Sequence, residues 1–212
     1  MPRIDDYKAA IALAAAELAK MNPKRLASKT RCEYFLEDTK EGVIVPYFGQ
    51  MRRVSWPELS VTPVAGQATI PLTEQILILH YLEKSSGELV SGRTIDFRQV
   101  PEGGFYWSAF VARAKKPQLE TFGRDLELYL KVAAQMGGEV LQLGDAAARF
   151  LALPLVPVTH VLWRGDEEFP PEANILFDET IAGHLPTEDI AALAGASVYR
   201  LMGAAYKLRQ GQ

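Results

Sequence analysis

An α+β fold, with small antiparallel sheets packed against amphipathic helices in a single domain, is predicted by three features of the sequence. Helical apolar periods stand at both ends of the chain. Short alternating segments separated by turn residues fill positions 32–56. No regular strand–helix–strand alternation runs through the rest.

The N-terminal element, within residues 1–22, is a helix over 5–21. Asp5 or Asp6 caps it, Tyr7, Ile11, Ala14 or Ala15 and Leu18 form one apolar stripe, and Asn22-Pro23 stops it. Residues 32–56 read as a β-meander built on Tyr34-Phe35-Leu36, Val43-Ile44-Val45 and Arg52-Arg53-Val54, with turns at Lys40-Glu41-Gly42 and Gly49-Gln50. Residues 73–208 form a mixed body. In it Thr73 caps a helix through Ile76, Leu79, His80 and Leu82 that stops at Gly87, and a short strand covers 94–100. Pro101-Glu102-Gly103-Gly104 then turns the chain into the aromatic run Phe105, Tyr106, Trp107 and Phe110. A helix over 118–136 ends at Gly137-Gly138. Strands follow at 140–143, 156–163 and 174–177, and Thr187 caps a final helix to about 208, with Glu188 and Asp189 in its first turn.

Composition excludes several classes of function. Of 212 residues, 48% are hydrophobic and 23% charged, enough apolar material for a core and too much for disorder. The 23 basic and 26 acidic residues are dispersed, so no phosphate-tracking surface for nucleic acid is expected. No apolar run approaches the roughly 20 residues that span a bilayer. One cysteine, Cys32, and an N-terminus without signal-peptide character predict a cytoplasmic protein. The same lone thiol leaves no ligands for an iron–sulfur cluster or structural zinc.

The dinucleotide, phosphate-loop, metalloprotease and serine-hydrolase signatures are all absent. Chemistry must therefore come from less formal groupings. The segment Trp163-Arg164-Gly165-Asp166-Glu167-Glu168-Phe169-Pro170-Pro171 joins two expected strands, and Asp178 and Glu179 follow closely. Its simplest reading is a Gly165-Asp166 turn with solvated glutamates. Its second is a ligand site, because Trp163 and Phe169 frame the carboxylates of Asp166 and Glu168 with apolar rings. His160 shares a strand face with Val156, Val158 and Leu162, which suits either a core histidine or a metal ligand, and His184 stands four residues before Glu188. His80, beside Tyr81 on an apolar helix, either bonds neighbouring backbone or projects toward a cavity as an axial ligand. Phe105, Tyr106, Trp107 and Phe110 suit a core as well as a cofactor platform.

Taken together, Leu79-His80-Tyr81-Leu82, the stretch from Gly92 to Pro101 with Tyr106 and Phe110, the Trp163–Pro170 segment and Leu176-Phe177-Asp178 resemble the domain-of-unknown-function family numbered 3786. The resemblance spans most of the chain, and Gly-Asp-Glu-Glu-Phe-Pro is its most specific part. It implies an anaerobic prokaryotic setting in which corrinoid and other tetrapyrrole enzymes are prominent. The expected function is accordingly non-catalytic binding, storage or transfer of a tetrapyrrole, a corrinoid (cobalamin) first, with a corrinoid-dependent protein as the partner. On that expectation Tyr81, Phe97, Tyr106, Trp107, Phe110, Trp163 and Phe169 enclose the ring. His80 or His160 approaches the metal, and Asp166 and Glu168 accept hydrogen bonds from peripheral amides. Two other expectations stand beside it: a metal-dependent hydrolase using Asp166, Glu168 and Asp178, and a protein–protein interaction module.

Overall fold

The computed structural model describes residues 4–211 and has the expected α+β class, with two antiparallel sheets and helices packed on them. Its packing forms two compact units, and neither is a continuous stretch of chain. The first runs to Leu89 and takes in Ala152–Leu155 and Gly183–Pro186. The second holds Val90–Leu151, Val156–Ala182 and the chain from Thr187 onward. Units that interleave in sequence leave no linker composition to read.

The first unit begins with helices α1 (Ile4–Leu18) and α2 (Pro23–Lys29). Asp5 and Asp6 lie inside the first turn of α1, and its buried face is Ala14 and Leu18. Asn22-Pro23, expected only as a stop, is a helix start. The Asn22 side chain accepts from the Arg25 backbone N–H at 3.0 Å, and Pro23 takes the first helical position, where a missing N–H costs nothing.

Strands β1 (Glu33–Glu37), β2 (Lys40–Tyr47), β3 (Gln50–Trp56) and β4 (Val61–Pro63) form the first sheet in sequential antiparallel order. The expected meander is present, but its turns fall elsewhere. Asp38 takes a φ of 53° and carries the first turn, so Lys40-Glu41-Gly42 belongs to β2. Phe48 and Gly49, at φ of 47° and 75°, make the second. Gly42 sits mid-strand because a Cβ there would lie 2.7 Å from the Phe35 ring and against the Val54 carbonyl. Helix α3 (Leu72–Lys84) follows. It starts behind Pro71 rather than at Thr73, which lies in its first turn, and it ends at Ser85 rather than Gly87. Ile76, Leu77, Ile78, Leu79, Tyr81 and Leu82 are buried, the helix packs with α1, and Glu74 pairs with Arg52 of β3 at 2.5 Å.

The second unit opens with β5 (Thr94–Asp96), shorter than the expected strand. Asp96 caps a 3-10 turn over Phe97–Gln99, accepting from the Arg98 N–H at 2.7 Å, while the Gln99 side chain accepts from the Asp96 N–H at 2.9 Å. The aromatic run is helical: α4 (Gly103–Phe110) continues through a π-helical turn at Val111–Lys115 into α5 (Lys116–Phe122). The helix expected over 118–136 is divided, because Asp125 leaves helical backbone (φ −142°, ψ 73°) and caps α6 (Leu126–Gln135), accepting from the Leu128 N–H at 2.9 Å.

Four strands come next: β6 (Glu139–Leu141), β7 (Ala146–Leu153), β8 (Val156–Trp163) and β9 (Glu172–Asp178). With β5 they form a sheet of order β5-β9-β8-β7-β6. Strand β7 was not expected, since Ala-Ala-Ala-Arg-Phe-Leu-Ala-Leu favours a helix by local propensity. Its place between β8 and β6 buries all but Arg149 and Leu151, and that burial overrides propensity. Helix α7 (Thr187–Arg209) packs along α4, the π-helical turn, α5 and α6. Thr187 is its first residue and donates its hydroxyl to the Pro101 carbonyl at 2.7 Å. Gly195 admits the Arg113 backbone, whose carbonyl oxygen would be 3.2 Å from a Cβ at that position. Among the described residues no helix is long and apolar enough to cross a membrane.

Candidate functional site

The break between α5 and α6 and the loop between β8 and β9 face one another across a cleft of about 380 Å³, lined by Gly123, Arg124, Leu126, Arg164, Gly165, Asp166 and Pro171. Both walls follow from local sequence. Gly123 closes α5 with its N–H on the Leu119 carbonyl at 2.8 Å, and Asp125 restarts the chain as α6, so Arg124 is held at the corner. On the other wall, Asp166 folds the loop on itself. Its Oδ1 accepts from the N–H groups of Glu168 (2.8 Å) and Phe169 (2.7 Å), and its own N–H donates to the Phe169 carbonyl at 2.9 Å. Those backbone donors, Phe169 first, hold the Asp166 carboxyl below its ordinary value, so it is ionised at neutral pH. Glu167 and Glu168 are exposed, which is the simple turn reading of this segment.

Two further contacts fix the approach of β8 to this loop. The Arg164 N–H donates to Asp145 Oδ2 at 2.7 Å, and the Asp145 N–H donates to the Leu162 carbonyl at 3.0 Å. Gly165 is required by closeness, since a Cβ there would lie 2.5 Å from the Pro171 nitrogen and 3.0 Å from the Phe169 carbonyl oxygen. Gly165→Ala is expected to lower stability by about 1–2 kcal/mol, because both clashing atoms are backbone of the same loop and neither can rotate away. Urea unfolding measures this, and an unchanged midpoint would show that the loop relaxes freely.

Of the residues expected to bind a cofactor, Asp166 alone lines this cleft. Trp163, Glu168 and Phe169 stand on the same strand end and loop, with Trp163 half-buried and Phe169 66% exposed. Phe97 and Phe110 lie in the core of the second unit, stacked on each other at 4.4 Å with an interplanar angle of 1°, and both meet Phe177 edge-on. Trp107 stacks on Phe110 at 5.5 Å and is covered by the Arg98 guanidinium at 4.0 Å, while Tyr106 is half-buried against Phe105. His80 and Tyr81 belong to the first unit. His80 is half-buried on α3, and Tyr81 is fully buried with its hydroxyl on the Thr30 carbonyl at 2.8 Å. The eight of the second unit are therefore not gathered around this cleft.

His160 is fully buried on β8, with Nδ1 on Gln118 Oε1 at 2.9 Å and its ring edge-on to Phe150 at 5.7 Å. Gln118 anchors in turn to the Val161 carbonyl, so Nδ1 carries the proton, and the Nε2 lone pair has no hydrogen-bond partner among the described residues. Burial lowers its pKa from 6.5 to about 3. A neutral imidazole with a bare Nε2 has the chemistry of a metal ligand, but no surface opens onto it. The arrangement does not fit an axial ligand to a macrocycle.

The acidic residues do not assemble a metal centre either. Asp178 is buried, and its carboxylate is occupied by Ser91, Gly92 and Thr180. Among the described residues no group of three or more His, Cys, Asp or Glu side chains stands close enough to hold a metal ion. His184 is buried in the first unit with Nδ1 on Ser85 Oγ at 2.9 Å.

Sequence reasoning missed Arg124, Arg164 and the cleft itself. The available signal was Gly123-Arg124-Asp125, a glycine followed by a helix-capping aspartate inside an otherwise continuous helical period. Compared with known proteins, residues 22–200 match the family model described as "Domain of unknown function (DUF3786)". No curated protein and no solved structure matches the chain.

Proposed function

The chain belongs to the DUF3786 family, and from the cleft of its second unit we propose that it is a non-catalytic small-molecule-binding protein. The observation that carries the reading is the concave space of about 380 Å³ where the α5–α6 corner meets the β8–β9 loop, within the range of small-ligand pockets. Binding is favoured over catalysis by what lines it. The titratable side chains of the lining are Arg124, Arg164 and Asp166. None is an activated nucleophile, and Asp166, held below its ordinary pKa, is a poor general base near neutral pH.

A corrinoid remains the ligand that the family resemblance suggests. It exceeds this cleft and would engage it through a peripheral carboxylate, phosphate or amide arm, leaving the ring outside. His160, enclosed on β8, then does not ligate the cobalt.

The test is amide NMR of the labelled protein during titration with cobyric acid, cobalamin and a panel of small polar metabolites. Shifts of Gly123, Arg124, Leu126 and Gly165 by at least one of them are expected. In the corrinoid arm, the visible spectrum should be the same for wild type and His160→Ala. No movement at the cleft with any ligand would overturn the binding reading. A cobalt spectrum that changes in His160→Ala would restore axial ligation and overturn the peripheral mode.

A further inference from the structure

We infer that the cleft selects an anionic ligand, a small molecule carrying a carboxylate or phosphate group together with a hydroxyl or ammonium group. This rests on the binding reading above and names its ligand class.

The first observation is that two arginines line one cleft. Arg124 stands on the helix corner and Arg164 at the end of β8, and both line one cleft, so the fold gathers two cations from distant parts of the chain. Both side chains are exposed, and among the described residues neither is engaged in an ion pair. Two of their acidic neighbours hold backbone donors instead. Asp125 caps α6 through the Leu128 N–H at 2.9 Å, and Asp166 Oδ1 holds the Glu168 and Phe169 N–H groups. Each guanidinium therefore retains a planar fork of donors, the geometry that takes a carboxylate or phosphate through two parallel hydrogen bonds.

The second observation is that Asp166 also lines the cleft and is ionised, so the lining carries two positive charges and one negative. A bare anion would meet repulsion at Asp166, whereas a ligand with a donor beside its anionic group would satisfy Asp166 Oδ2. The third is that the backbone of both walls is tied down by hydrogen bonds. The Asp145 carboxylate holds the Arg164 N–H at 2.7 Å, and Gly123 donates to Leu119 at 2.8 Å, so the two corners from which the side chains spring are set before a ligand arrives.

The experiment is calorimetric and NMR titration of the intact chain with inorganic phosphate, O-phosphoserine, L-malate and, as a neutral probe, glycerol. Shifts at Gly123 and Gly165 with phosphoserine or malate are expected. Arg124→Gln and Arg164→Gln, both at exposed positions, should each weaken binding roughly tenfold or more while leaving the unfolding midpoint unchanged. Asp166→Asn should narrow the preference for phosphoserine over inorganic phosphate. Phosphoserine binding without malate binding assigns the anion as phosphate, and the converse assigns it as carboxylate. If both arginine variants bind the anions as wild type does, or if only glycerol moves the cleft resonances, the anion proposal is wrong and the binding reading stands. If neither the anions nor glycerol moves them, the anion proposal is also wrong, and the wider metabolite panel then decides the binding reading by itself.

Discussion

Asp178→Ala is expected to lower the stability of the protein by about 2–3 kcal/mol, a larger loss than that of Gly165→Ala. The carboxylate is 4% exposed and ends β9. It accepts from the Gly92 N–H at 2.8 Å, the Ser91 N–H at 3.1 Å, the Thr180 N–H at 3.1 Å and the Thr180 hydroxyl at 2.7 Å, with the Ser91 hydroxyl at 3.2 Å. Burial alone would raise its pKa, but the donors of Thr180, Ser91 and Gly92 outweigh it and the net shift is downward. Truncation leaves the buried Thr180 N–H without an acceptor, at about 1–3 kcal/mol, and removes the carboxylate that gathers the N–H groups of the more exposed Ser91 and Gly92. Because the folded pKa lies below the unfolded value of 3.8, the stabilisation is complete above that value and is lost as pH falls through the folded pKa. Urea unfolding of Asp178→Ala and Asp178→Asn at pH 7 measures the effect, with Asn expected to recover part of it. A loss below about 1 kcal/mol in the alanine variant would show that water reaches these donors.

His160 is expected to make the protein lose about 2 kcal/mol of stability between pH 7 and pH 5. The unfolded chain takes up a proton near 6.5, whereas in the fold burial holds the imidazole neutral down to about 3. The unfolded state therefore binds more protons throughout that window. Stability is full above 6.5 and falls by roughly 1.4 kcal/mol for each pH unit below it until about pH 3 is reached. The carboxylates with lowered pKa values act below about pH 4.5, so they leave the interval from 5 to 7 almost untouched. The measurement is the difference in urea midpoint between pH 7 and pH 5 for wild type and for His160→Gln. The variant should lose about 2 kcal/mol less than wild type over this interval. An equal slope in both proteins would mean that the folded imidazole protonates freely.

These two residues show how differently the sequence speaks about sites. His160 was legible as an inward-facing residue from the alternation along Val156–Trp163, and it is inward-facing. Gln118, which fixes its ring, comes from another element 42 positions away and left no local trace. Asp178 was legible only as one acid near others. Its partners at Ser91 and Gly92 reach it through the β5–β9 pairing, a long-range contact that no local pattern encodes.

By itself the sequence determined the α+β class, the absence of a bilayer-length apolar run, the family, and the β8, β9 and α7 segments, because periods of 2 and 3.6 residues are local signals written in each segment. It also determined that Asp166 turns the chain between β8 and β9, since an aspartate after glycine satisfies its own loop. Only the tertiary structure decided that β7 is a strand and that Phe97 and Phe110 are core rather than platform. It alone brought Arg124 and Arg164 to one cleft. The physical reason is common to all three. Burial and long-range pairing outweigh local propensities of a few tenths of a kcal/mol per residue, and they depend on which distant segments meet.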